Sequence, residues 1–234
     1  MDALYLSDCY LKEWDANVES VKDDKFVVLD KTAFYPNSGG QPHDTGVIVK
    51  DGIEHPVVFV GKFDGVISHE VSRPGLAAGD KVHCRIDWDR RYAHMKMHTA
   101  AHVLSRVIFE ESGAHTSGNQ LGVEESRIDF TLENLDRDKI QGWFDKANAL
   151  IAKRIPVEIM EISREQAEKE LDGPSKHLMA DLPVLRLIRI AGVDQQTCGG
   201  THLANIGEIG RLVFSAVKNK GANNRRIYYR IAQD

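Results

Sequence analysis

Asp87-Trp88-Asp89-Arg90-Arg91 is the point at which the sequence changes its period. Upstream of it, short β-branched runs follow one another: Phe26-Val27-Val28-Leu29, Gly46-Val47-Ile48-Val49, Pro56-Val57-Val58-Phe59-Val60, Gly65-Val66-Ile67-Ser68-His69 and Lys81-Val82-His83-Cys84-Arg85-Ile86. Turn residues separate them, at Asp23-Asp24, Asp51-Gly52, Gly61, Pro74-Gly75 and Gly79-Asp80. Short strands at this spacing predict a small barrel or sandwich over residues 1–88. Downstream, to about Glu111, the period is helical, with Met95, His98, Ala101, His102, Ser105 and Ile108 or Phe109 on one broad face. Gly113 ends that helix. No Pro/Ser-rich linker intervenes, so a domain boundary is expected near residue 88, with a second domain over 89–234.

The second half mixes element types. Arg127-Ile128-Asp129-Phe130 reads as a strand, and Asp136 to about Arg154 as an amphipathic helix with Ile140, Phe144, Ala147 and Ile151 aligned. Val157 to Ile162 reads as a strand after Pro156, and Ser163-Arg164-Glu165-Gln166 fits a capping box opening a short helix. Further strands are expected around Val184–Ile190, Arg211–Val217 and Arg226–Ile231. The expected fold class is α+β, with a mainly antiparallel sheet in the second domain.

Composition sets the bounds. A chain of 234 residues can form two modest domains or one large one, and 42% hydrophobic residues suffice for a real core. No apolar run approaches the roughly 20 residues that a membrane span needs, and Met1-Asp2-Ala3-Leu4-Tyr5 does not begin a secretory signal. The expectation is a soluble, cytoplasmic protein. Cys9, Cys84 and Cys198 are too few, and odd in number, for a disulfide framework. Cys9 and Cys84 read as plain thiols. The net charge of −5 argues against unselective coating of nucleic acid. A local basic cluster, Lys218, Lys220, Arg225, Arg226 and Arg230 with Asp234 opposing, fits either a charge-protected strand edge or a phosphate-binding face.

His98-Thr99-Ala100-Ala101-His102 places two imidazoles one helical turn apart on one face. Two such histidines alone are more often ordinary surface or core residues. Far downstream, Cys198-Gly199-Gly200-Thr201-His202 supplies a thiolate and a third imidazole, with two glycines that let the loop bend tightly. Three nitrogens and one sulfur, from His98, His102, Cys198 and His202, make a tetrahedral set suited to one zinc ion. His94, one turn back, ranks second as a ligand. Thr99 stands where a zinc protease needs glutamate, and the separation of the two halves rules out a zinc finger.

These motifs resemble the editing domain of alanyl-tRNA synthetase, which is shared with threonyl-tRNA synthetase. The segment Phe34-Tyr35-Pro36-Asn37-Ser38-Gly39-Gly40-Gln41-Pro42-His43-Asp44-Thr45-Gly46 is similar to the same family, and the motifs occur in the expected order across both halves. With no room for an aminoacylation domain, the chain looks like a freestanding editing protein of the AlaX family, medium type. The resemblance implies a β-barrel in front of the editing domain and hydrolysis of mischarged tRNA(Ala). The substrates implied are chiefly seryl-tRNA(Ala), with glycyl-tRNA(Ala) as a further candidate. It assigns Gly39 and Gly40 to amino-acid discrimination beside the editing pocket, although Ser38 stands where the family often has glycine, and the segment by pattern alone is a hairpin turn. Within His115-Thr116-Ser117-Gly118-Asn119-Gln120, otherwise an ordinary polar loop, Thr116 best matches a threonine that senses the serine hydroxyl. Arg90, Arg91, Lys96 and the C-terminal cluster become candidate phosphate contacts.

A synthetase pocket that fits alanine cannot strongly reject an isostere that adds a hydroxyl, so a second site must remove the wrong ester. A buried group that hydrogen-bonds the serine hydroxyl rejects alanine by roughly 10⁴-fold or more, because alanine leaves it unpaired. Four protein ligands normally mark a closed metal site, whereas a catalytic one keeps a position open. Zinc is therefore expected to position substrate while an ordered water attacks, and no Asp or Glu stands out as general base. Two rivals remain: a non-catalytic, zinc-stabilised RNA-binding module, and a metallohydrolase for a small ester or amide. Oligomeric state is not legible.

Overall fold

The computed structural model describes residues 2–133, 137–171 and 182–232. Contacts along the chain divide it into two units, Met1–His94 and Met95–Asp234.

The first unit is built on strands β1 (Asp2–Ala3), β2 (Glu13–Lys22), β3 (Phe26–Leu29), β4 (Lys31–Thr32), β5 (Gly46–Lys50), β6 (Ile53–Phe63), β7 (Val66–Val71) and β8 (Lys81–Ile86). Six of them close into a barrel in the order β2-β3-β7-β6-β5-β8, every pairing antiparallel. β1 and β4 form a short parallel pair outside it. Asp51-Gly52 and Asp64-Gly65 turn the two hairpins around β6, all four residues at positive φ as a tight two-residue loop requires. The barrel is filled by Trp14, Val18, Val27, Leu29, Phe34, Ile48, Val60, Ile67, Val82 and Cys84 among others. Polar groups are buried beside this core as well, Thr32 and His69 among them. His69 is fully buried, its Nδ1 2.9 Å from the Val27 carbonyl and its Nε2 2.9 Å from the Thr32 hydroxyl. Burial pushes its pKa down to about 4, against the opposing effect of the Val27 carbonyl.

The second unit holds most of α1 (Trp88–Ser112), then β9 (Thr116–Gln120), β10 (Ser126–Phe130), α2 (Arg137–Ile151), β11 (Val157–Ser163), α3 (Arg164–Glu170), β12 (Val184–Ile190), β13 (Asp194–Thr197), β14 (Leu212–Asn219) and β15 (Arg225–Ile231). They make two antiparallel sheets, β14-β15-β10-β9 and β11-β12-β13. Ile128, Phe130, Ile227 and Tyr229 are buried on one face of the larger sheet, and the Tyr229 hydroxyl donates to the Met97 carbonyl of α1 at 2.8 Å. α2 docks on β14 through Asn148, whose amide bonds the Leu212 carbonyl and N–H at 2.9 and 2.8 Å. Ile140, Phe144, Ala147 and Ile151 form its buried face, as their spacing predicts. Its expected start at Asp136 lies outside the described residues. The capping box is present at Ser163 and Gln166. The fold class is α+β. Among the described residues no helix is long and apolar enough to cross a membrane.

Two expectations are refined. The helix after residue 88 buries the expected face, with Met95, His98, Ala101, His102 and Ile108 buried and Ser105 partly so, and it buries more besides. Met95, Met97, Ala100, Val103, Leu104, Val107 and Ile108 are all buried, so α1 is enclosed on most sides, as a central helix is. The segment His115–Gln120 is not simply a loop: Thr116–Gln120 forms the edge strand β9 against β10.

Candidate metal centre

α1 carries His98 and His102 one turn apart, and the loop after β13 carries Cys198 and His202. The ligand atoms of these four residues lie within 4.8 Å of one another. Cys198 Sγ is 3.5 Å from His98 Nε2 and 3.4 Å from His202 Nε2. A tetrahedral ion with Zn–S near 2.3 Å and Zn–N near 2.0–2.1 Å sets sulfur and nitrogen about 3.6 Å apart, so these separations fit one small ion. His94 is buried outside this cluster.

The sequence makes this convergence possible locally. Arg186 of β12 holds the loop from beneath, its Nη1 donating to the carbonyls of Cys198 and Gly200 at 2.6 and 2.9 Å. The Cys198 N–H donates to the Arg186 carbonyl at 3.1 Å, and the Gly200 N–H points at the Cys198 sulfur from 3.4 Å. Behind the histidines, Asp194 Oδ2 lies 3.0 Å from His102 Nδ1, and the Gln196 amide lies 2.6 Å from the same nitrogen. The Thr99 hydroxyl lies 3.3 Å from His202 Nδ1 and accepts the Leu203 N–H at 3.1 Å. Thr99 was legible only as a residue that excludes a protease. Asp194, Gln196 and Arg186 carry no motif of their own.

Electrostatics favour a soft cation here. Burial opposes a thiolate at Cys198, but the charges of His98 and His202, with hydrogen bonds from His102 and His202, bring the thiol well below its usual value. Burial alone would keep His102 neutral; hydrogen bonds with Asp194 and Cys198 overcome it and lift the pKa to about 9. His202 is pushed well below its usual value by burial and then by the charges of His98 and His102. An anionic sulfur thus faces imidazoles that cannot all be charged, a donor set that a divalent ion can hold together. Cys9 and Cys84, by contrast, are buried, and burial pushes the Cys84 thiol far up.

The remaining expected site residues fall in several places. Thr116 opens β9, half-buried, and its hydroxyl donates to Ser105 Oγ at 3.2 Å; Ser105 follows His102 by one turn on α1. Gly39 and Gly40 form the exposed centre of a two-residue turn in the first unit, with φ of 56° and 83°. Ser38 and Gln41 exchange N–H···O bonds of 3.1 and 2.9 Å across it, and the Tyr35 hydroxyl donates to the Ser38 carbonyl at 3.1 Å.

Arg91 is not a phosphate contact. It is wholly buried, and its guanidinium is spent on Asp44 and on the carbonyls of Cys9 and Ala33 at 3.0 and 2.5 Å. Arg90 is half-buried, with Nε donating to the His43 carbonyl at 3.2 Å. In the C-terminal cluster, Arg226 clasps both oxygens of Asp129 at 2.7 and 2.9 Å, and Arg127 reaches the same carboxylate at 3.0 Å. Arg225 donates to Asn219 Oδ1 and to the carbonyls of Gly221, Asn224 and Glu133. Lys218 and Lys220 are exposed, Lys218 lying 5.1 Å from the centre of the Tyr228 ring. Asp234 lies outside the described residues.

Residues 7–90 match the tRNA synthetases class II (A) family, and residues 185–228 match the threonyl and alanyl tRNA synthetase second additional domain. The chain is 50% identical over 239 positions to the alanyl-tRNA editing protein AlaX-M of Methanosarcina acetivorans, covering 97% of this chain and 98% of that one. It is 37% identical to the AlaX-M protein of Saccharolobus solfataricus, with 98% of each covered. Its similarity to the alanine–tRNA ligase of Pyrococcus furiosus, 40% over 213 positions, takes in 88% of this chain but 23% of the ligase. Since the match to the editing proteins runs nearly end to end in both partners, and takes in the elements that assemble the His98, His102, Cys198 and His202 cluster, the chain belongs to the AlaX-M family of alanyl-tRNA editing proteins.

Proposed function

We propose that the chain is a trans-editing deacylase. It hydrolyses tRNA(Ala) mischarged with serine as its main substrate and with glycine as a second, and spares alanyl-tRNA(Ala). The observation that carries this reading is the convergence of His98, His102, Cys198 and His202 in a chain of this family. On this reading residues 1–88 are the barrel domain with the glycine-rich turn, residues 89–234 are the editing domain, and the protein works in the cytoplasm.

The four ligands would hold one zinc ion, because a His₃Cys set at these separations suits it. Bound there, zinc supplies a positive charge that orients the aminoacyl end of the substrate. In the reaction, water adds to the ester carbonyl carbon, the bond to the ribose oxygen breaks, and the proton ends on that oxygen. Free amino acid and a tRNA with an intact 3′ end leave. The Thr116 hydroxyl, held by Ser105, is the group that meets the seryl hydroxyl. Gly39 and Gly40 contribute to discrimination through their exposed turn. No carboxylate is assigned as general base, since Asp194 is committed to His102. Arg90, Lys218 and Lys220 contact phosphates, a role that carries no sequence information. Arg225 and Arg226, partly exposed and hydrogen-bonded within the fold, are contacts on the same surface.

Deacylation measured side by side on seryl-, glycyl- and alanyl-tRNA(Ala) tests the reading. Turnover of the first two with alanyl-tRNA(Ala) left intact is expected. Binding of all three without turnover would replace it with a zinc-stabilised RNA-binding module. Turnover of small esters without any dependence on tRNA would replace it with a metallohydrolase.

A further inference from the structure

We infer that Asp194 is a positioning residue of the metal centre: it holds His102 in the tautomer and orientation that turn Nε2 toward the ion. The inference rests on the metal reading above. Asp194 opens β13, and its side chain is 8% exposed, while the His102 ring against it is 5% exposed. Its Oδ2 sits 3.0 Å from His102 Nδ1 and accepts the Gln196 amide at 3.1 Å. Asp194 and Gln196 are two residues apart on a strand, so both point to the same side. β13 is in turn pinned by its register with β12, from Ile190 opposite Asp194 to Leu187 opposite Thr197. The carboxylate is therefore held by the sheet.

The consequence is chemical. An imidazole that donates its Nδ1 proton to a carboxylate keeps Nε2 as a bare lone pair, the form a metal takes. Without that partner only the Gln196 amide nitrogen, a donor, faces Nδ1 at 2.6 Å, so the His102 proton is driven to Nε2, the nitrogen the ion needs bare. The carboxylate also adds a negative charge behind the His102 ring, which offsets a dication in a nearly buried place. Thr99 does for His202 Nδ1 what Asp194 does for His102, though with a neutral hydroxyl at the longer distance of 3.3 Å. Of the two supports, the charged and shorter one is the one whose loss the ion feels more.

Zinc affinity measured by competition with a chromophoric chelator tests this on the whole chain. Asp194→Asn keeps the size of the side chain and an acceptor oxygen but loses the charge. A 10- to 100-fold weaker affinity is expected, with the melting temperature of the zinc-free protein unchanged. Added zinc should restore deacylation in that variant. A purely structural role would do the reverse, lowering the zinc-free melting temperature and leaving the competition curve at the parent position. Should Asp194→Asn fail to fold, Gln196→Ala, which removes the amide that touches both the Asp194 carboxylate and His102 Nδ1, should weaken zinc by a smaller factor. A parent-like competition curve from whichever of the two is folded overturns the inference. If the parent itself holds no zinc, the metal reading falls first and this inference with it. If the parent holds zinc and deacylates while the variants match it, this inference falls alone.

Discussion

Arg91 and Thr116 show how a side chain's role follows from where its hydrogen bonds go. Arg91 and Asp44 form a wholly buried ion pair, and the pair survives burial because its remaining donors find the Cys9 and Ala33 carbonyls while Asp44 accepts the Tyr35 N–H at 2.6 Å. Arg91→Ala leaves that carboxylate alone in the first unit, and a loss of about 3–5 kcal/mol in urea unfolding is expected. Arg91→Lys should recover little of it, since an ammonium cannot serve Asp44 and two carbonyls in one plane. Thr116 sits at the opposite extreme, half-buried with one hydroxyl partner, Ser105. On the proposed function, Thr116→Val should slow seryl-tRNA(Ala) hydrolysis roughly 10- to 100-fold, the worth of one hydrogen bond at a discriminating site. Glycyl-tRNA(Ala), which has no hydroxyl to lose, should turn over at the parent rate, and zinc should stay bound. Equal slowing of both substrates would remove Thr116 from the recognition of serine.

At the scale of elements, legibility tracked how much of the pattern was local. Phe26–Leu29 and Lys81–Ile86 stand where their β-branched runs place them, and the Ser163 capping box was readable from four residues. β2 was missed although Trp14, Ala16 and Val18 alternate inward, because Glu13, Asp15 and Asn17 on the outer side have low strand propensity. β9 and β13 were missed for a related reason. Thr116-Ser117-Gly118-Asn119-Gln120 and Asp194-Gln195-Gln196-Thr197 are polar edge segments, ordered by pairing with β10 and β12 and not by their own composition. The fuller enclosure of α1 was hidden because the expected face accounts for only part of its buried residues, which also include Met97, Ala100, Val103, Leu104 and Val107. The four residues that come together, His98, His102, Cys198 and His202, were readable from spacing and residue type, whereas the side chains packed against them are set by pairings a single sequence does not display. The turn at Gly39 and Gly40 tests the element directly. Alanine at either position puts a Cβ on backbone of positive φ, and about 1–2 kcal/mol of lost stability is expected for each. Thermal melts of the two single variants measure it, and unchanged melting would mean that the turn relaxes to another form.

For the whole molecule, acid should open the protein through its barrel core. The neutral His69 imidazole is the native form, and its pKa in the fold is down at about 4 against 6.5 for an ordinary histidine. The unfolded chain therefore binds a proton in a range where the folded one does not. Stability is complete above pH 6.5, falls as the pH drops from there toward 4, and loses about 3 kcal/mol by the end of that window. His69→Gln should flatten this part of the profile, measured as urea midpoints across about pH 4–7, and a slope equal to the parent's would place the acid sensitivity elsewhere.

The distance in sequence between the two halves of the metal centre also sets a clock. Cys198 comes 100 residues after His98. At roughly 5–20 residues per second, a ribosome needs on the order of 5–20 s to travel from one to the other. For that interval the nascent chain carries His98 and His102 of α1 but neither Cys198 nor His202, which is half of the proposed ligand set. On the proposed zinc reading an ion would be captured tightly only once the C-terminal loop has been made and has returned to the helix. On that reading, loading therefore closes the order of assembly, and zinc supplied during synthesis gains no earlier foothold than zinc supplied after it.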